Sequence, residues 1–146
     1  MYPRQDVSEF ISRNFIPVKI HIKEQPQTFD RFNAQWTPIL VVLDSDGVEH
    51  HRFEGYLPPR EFLAQLELGL AHAAFARKNW EDAERRYRAI VERFDDTDAA
   101  PEALYWTGVS KYKASHDPGA LAQTAQQFKQ RYQESAWAKK SSVWAA

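Results

Sequence analysis

Cysteine is absent from the 146 residues. Without a thiol the chain has no disulfide, no thiolate nucleophile and no Cys-ligated metal site, so it cannot itself carry out thiol–disulfide exchange. Long apolar runs are lacking too. Nothing approaches the roughly 18 residues that mark a membrane span, and the opening Met1-Tyr2-Pro3-Arg4-Gln5-Asp6 is too polar for a signal peptide. The expectation from these absences is a cytoplasmic location and no membrane partner. An excess of either charge is missing as well: 19 Lys and Arg stand against 20 Asp and Glu. No net field exists to steer nucleic acid toward the surface, and none is expected as a partner. What is present is the apolar and aromatic content of a globular chain, 43% and 14%, at a length that suits one ordinary domain or two small ones.

Along the chain, Val7, Phe10, Ile11 and Phe15 fall at helical spacing. Val18, Ile20 and Ile22 then alternate with Lys19, His21 and Lys23, the period of a strand with one dry face. A turn and brief helix carry Phe29 and Phe32, and Ile39-Leu40-Val41-Val42-Leu43 follows as an unbroken branched run that predicts a strand covered on both faces. Asp44-Ser45-Asp46-Gly47 supplies turn chemistry, and residues 48–53 return as a more polar strand stopped by Gly55. From Pro58 onward the pattern is helical: a stripe of Phe62, Leu63, Leu66 and Leu70, then a helix burying Ala83, Tyr87, Ile90, Val91 and Phe94. A third helix starts at Pro101, a fourth runs from Pro118 to Tyr132, and a partial fifth spans residues 137–144.

The ordered segment Gln35-Trp36-Thr37-Pro38-Ile39-Leu40-Val41-Val42-Leu43-Asp44, followed by the Asp46-Gly47 hairpin, Gly55 and the helix from Pro59, resembles the thioredoxin-like superfamily. The resemblance covers residues 1–70 and is to the C-terminal half of that domain. Its Cys-x-x-Cys turn and the strand before it have no counterpart. It implies that Thr37–Pro38 is cis, that Trp36, Thr37 and Pro38 form either a structural remnant or a peptide-contacting edge, and that the sheet is truncated to about three strands. A second resemblance, across residues 71–146, is to tetratricopeptide repeats. These need small residues where helices cross, and Ala71, Ala83, Gly108 and Ala120 stand at such positions; Thr124 replaces a large apolar residue expected there. The fold class expected is therefore α/β plus all-α, a truncated thioredoxin-like sheet followed by a tetratricopeptide-like helical tail.

Candidate sites are few. His50 and His51 are adjacent in a strand and point to opposite faces, so they cannot chelate one ion together, and His21, His72 and His116 lie at no ligand spacing. No metal and no cofactor is expected. Asp44 and Asp46 precede a glycine at the wrong position for a calcium loop, and a hairpin turn explains them more simply. Trp106, Tyr112, Trp137 and Trp144 are the interaction candidates, because Trp and Tyr dominate binding hot spots. Trp106 and Tyr112 also suit repeat cores, which leaves Trp137 and Trp144 as the better contact residues. The leading reading is a non-catalytic protein that contacts a protein or peptide partner or itself. The alternative is a thioredoxin-family oxidoreductase whose dithiol lies upstream of Met1. A glutathione-transferase-like enzyme ranks third.

Overall fold

A computed structural model describes residues 4–35 and 38–145. Trp36 and Thr37, and with them the Thr37–Pro38 bond expected to be cis, lie outside the described residues. The elements in order are α1 (Gln5–Asn14), α2 (Pro26–Arg31), β1 (Ile39–Leu43), β2 (Glu49–Glu54), α3 (Pro59–Ala76), α4 (Trp80–Arg93), α5 (Ala99–Ser115), α6 (Gly119–Gln130) and α7 (Ala136–Ser141), with a final 3-10 turn at Ser142–Ala145.

The sheet among the described residues is a two-stranded antiparallel ladder, with Ile39 opposite Glu54, Leu40 opposite Phe53 and Val42 opposite His51. The third strand expected over residues 18–22 does not form: that stretch is irregular and ends in a turn at residues 22–24. Alternation is a local signal, whereas a strand needs a neighbour to bond with, and this segment has none. The same shortage corrects a second expectation. β1 is not covered on both faces; Val42 alone is buried, and Leu43 is exposed. At the hairpin, Asp44 Oδ1 accepts from the amides of Asp46 (2.9 Å) and Val48 (3.0 Å), and Gly47 takes a φ of 80° that disfavours side-chain-bearing residues. The Asp44 carboxylate is thus occupied by its own turn.

Two apolar clusters hold the chain together. Val7 and Ile11 of α1, Val42 of β1 and Phe62 and Leu66 of α3 form one. The other joins Ala64, Leu68, Ala71 and Ala74 of α3 to Ala83, Tyr87, Ile90 and Val91 of α4, to Ala99, Ala103 and Leu104 of α5 and to Phe128 of α6. Leu63 packs against both. Close approach of α3 to the sheet is possible because Gly69 faces Val42: a Cβ there would stand 2.8 Å from Val42 Cγ2. Short connections, residues 77–79, 94–98 and 116–118, fold each later helix back on the one before. Asn79 caps α4 by accepting from the Asp82 amide, and His116 ends α5 in the left-handed conformation, φ 58°. The fourth helix stops at Gln130, two residues short of the expected end, where Tyr132 turns left-handed at φ 59°. Among the described residues no helix is long and apolar enough to cross a membrane.

Candidate functional site

The first candidate surface is the outer edge of β1 with the segment that precedes it. β1 bonds to β2 along one edge only. Pro38, half-buried, accepts the Gly55 amide at 2.8 Å and so closes the mouth of the hairpin. Upstream, Ile16 is 92% exposed, Val18 76% and Ile22 49%. Leu43, Val48 and Tyr56 are exposed as well, whereas the helical portion contributes Val143 alone among the large exposed apolar residues described. Exposed large apolar side chains are therefore concentrated in residues 16–56 rather than in the helical portion.

The second candidate is a histidine and aromatic cluster at the seam between hairpin and helices. Strand alternation sends His50 and His51 to opposite faces, as their adjacency requires. His50 Nε2 donates to Asp44 Oδ2 at 2.7 Å, and this contact leads the lowering of the Asp44 pKa. His51 Nε2 donates to Gln65 Oε1 of α3 at 2.7 Å, and its ring lies 5.4 Å from that of His72. Burial holds the His51 pKa below its ordinary value. His72 bridges two further helices: its Nδ1 is 2.6 Å from the Tyr87 hydroxyl of α4 and its Nε2 is 2.9 Å from Glu102 Oε2 of α5. The tautomer that satisfies both has Nε2–H donating to the carboxylate and Nδ1 accepting from the phenol. Tyr87 is fully buried, and burial pushes its phenol pKa up. Trp106 meets His72 edge-on at 6.0 Å and stacks near Tyr87, while its buried indole N–H has no hydrogen-bond partner.

This cluster has the parts of a proton relay but not the setting. Each ring nitrogen of His72 is taken by a neighbour in the fold, and two grooves on the surface lie away from it. One, about 350 Å³ in volume, lies between Trp80, Glu84, Lys111, Ser115, Asp117 and Gln123, and the other, about 430 Å³, beside Pro101, Arg131 and Gln133. The cluster ties β2, α3, α4 and α5 together. His51 and His72 are half-buried and joined across the seam. The signal that could have found His72 was its position four residues after Leu68, which buries on the same stripe of α3.

Of the remaining predicted site residues the structure brings Trp106, Trp137 and Trp144 together around Tyr105 and leaves Tyr112 outside that group. Trp106 belongs to the core cluster, with Phe75 at 5.1 Å and Trp137 at 6.4 Å. Tyr112 is half-buried and stands apart from that cluster. Trp137 and Trp144, the expected contact residues, fold back on Tyr105, with ring centroids at 5.1 and 4.7 Å. Lys140 covers the Trp137 ring at 4.0 Å, a cation–π contact that shields the remaining face. Among the described residues no group of three or more His, Asp or Glu could hold a metal ion.

No curated protein and no solved structure matches the chain significantly. A two-stranded antiparallel sheet, with helices before it and α3 packed on it, fits a thioredoxin-like part followed by further helices. Residues 2–70, just under half of the chain, match the family model of a thioredoxin-like domain.

Proposed function

We propose that the chain is a redox-inactive thioredoxin-like platform that works in the cytoplasm by binding a protein or peptide partner or a copy of itself, with a tetratricopeptide-like tail behind it. The observation that carries this reading is the β1 edge left without a bonded neighbour among the described residues, together with exposed Ile16, Val18 and Ile22 upstream, in a chain with no cysteine to make the platform catalytic. A strand edge offers unpaired backbone donors and acceptors to any extended segment, and neighbouring apolar side chains add area. Trp36, Thr37 and Pro38, which precede β1 in the sequence, belong to the proposed contact. The tail reading rests on the burial of Ala71, Ala83 and Gly108 and on the packing of each helix of α3 to α6 on the next.

The test is binding of the purified chain to an array of extended peptides, followed by amide exchange of the bound chain. Expected is capture of apolar, alternating peptides with slowed exchange over residues 39–43. Silence across the array, together with a strictly monomeric chain, would remove the interaction reading. The family match favours one further reading, an oxidoreductase whose dithiol is encoded upstream. An in-frame Cys-x-x-Cys before the Met1 codon would establish it.

A further inference from the structure

One chain carries a strand with one edge unbonded and an upstream segment with strand periodicity but no bonded neighbour among the described residues. β1 has an open edge of five residues, Ile39–Leu43. Ile16, Val18, Ile20 and Ile22 stand at every second position of the upstream segment, so that when extended all four share one face. Among the described residues, no backbone group of residues 16–20 is hydrogen-bonded to another backbone group. Branched side chains at this period favour a pleated, half-buried surface, which the isolated chain does not provide.

We propose that the chain forms a two-fold dimer in which residues 18–22 of each copy add as a strand to the open edge of β1 in the other. The proposal rests on the interaction reading above and names its partner, a second copy. The occupant is argued from the chain itself. Donor and acceptor stretches are both five residues long and in the single chain neither bonds to the other; among the described residues, positions 18–20 make no backbone bond, and the His21 carbonyl, which accepts from the Glu24 and Gln25 amides, is released by the exchange. A reciprocal exchange satisfies both edges at once and closes the assembly. Lys19, His21 and Lys23 lie on the opposite face of the added strand, and lysine on an outer strand opposes further edge-to-edge growth. The closed pair is thereby favoured over an open fibre.

Sedimentation of the full chain over a range of concentrations, with amide exchange at the two extremes, tests this. Expected are a monomer–dimer equilibrium and exchange that slows at both residues 16–22 and residues 39–43 as concentration rises. The double variant Val18→Pro with Ile20→Pro removes two strand donors from a segment without backbone bonds. It should keep the far-ultraviolet spectrum of the native chain and sediment as a monomer. A native chain that stays monomeric, a dimer that survives the two prolines with its fold intact, or slowing confined to residues 16–22 would each overturn the proposal. The exchange pattern of the native chain decides on its own should the proline variant not fold. If the chain is monomeric while an extended peptide protects residues 39–43, this dimer is wrong and the interaction reading stands. If neither occurs, both fall.

Discussion

Gly108 of α5 and Thr124 of α6 fit one another so closely that a Cβ on the glycine would stand 2.8 Å from Thr124 Cβ and 2.9 Å from its Cγ2. The threonine cannot readily turn aside, because its hydroxyl donates to the Ala120 carbonyl at 2.8 Å. Replacing Gly108 by leucine should therefore cost roughly 1–3 kcal/mol through overpacking. Thr124→Ala in the same background should recover part of the loss. Urea unfolding of the single and double variants measures both, and unchanged stability of the leucine variant would mean that α5 and α6 do not meet here.

A second close approach sets the seat of the hairpin. Gly69→Ala would place a methyl 2.8 Å from Val42 Cγ2 and 3.2 Å from Val42 Cβ, with both residues buried. The expected loss is again on the order of 1–3 kcal/mol, and it should be accompanied by faster amide exchange in β1 and β2 than in α4 and α5. Equal acceleration throughout would place the strain elsewhere.

Acid should weaken the fold through His51. Burial lowers its pKa from the ordinary 6.5, so the folded state favours the neutral ring. Above 6.5 both states are neutral and the full contribution is present; as pH falls below that value the unfolded chain takes up the proton first, and stability declines until the lowered folded value is passed. His72, Glu102, Glu49 and Gln65 are the groups that act on this ring. His51→Gln should flatten that limb of the stability curve. Glu67 acts with the opposite sign, since burial raises its carboxyl pKa and its penalty appears as pH rises through the ordinary carboxylate range. Removing one group leaves the other's effect in place, so unfolding measured at several pH values in His51→Gln and in Glu67→Gln distinguishes them.

Tyr87→Phe should destabilise the chain by about 1 kcal/mol, because it removes the 2.6 Å bond to His72 Nδ1 while leaving the ring's packing in place. Chemical denaturation checks the size. His72→Phe in the same background should then cost less than it does alone, since the shared bond is already gone.

Much of the helical part was legible because its signals are local and dense. The buried positions read in α4, from Ala83 through Phe94, are those the structure buries, and the hairpin followed from a branched run, an Asp-rich turn and a polar return strand. Thr124 looked out of place in sequence because a large apolar residue was expected, yet a small side chain is what Gly108 leaves room for. The strand over residues 18–22 was misread because its pattern says which faces would be dry and nothing about who would bond to its edges. The link from His51 to His72 was invisible for another reason. It spans the seam between a strand and a helix, and depends on the rotation of α3 that Gly69 permits. Trp137 and Trp144 looked available for a partner because the fold-back onto Tyr105 involves a residue some thirty positions earlier, a relationship that spacing does not encode.

Because α3 presents Phe62 and Leu66 to one cluster and Ala64, Leu68, Ala71 and Ala74 to the other, it is a shared wall rather than a border. Dissecting the chain at residue 70 would cut through the middle of an 18-residue helix and strip both halves of a face they need. A helical fragment meant to stand alone has to begin near Pro58, taking the whole of α3 with it, and the hairpin left behind would have no surface to lie on. Heat should likewise melt the two halves in one step, with loss of the hairpin signal and of the helix signal at the same temperature.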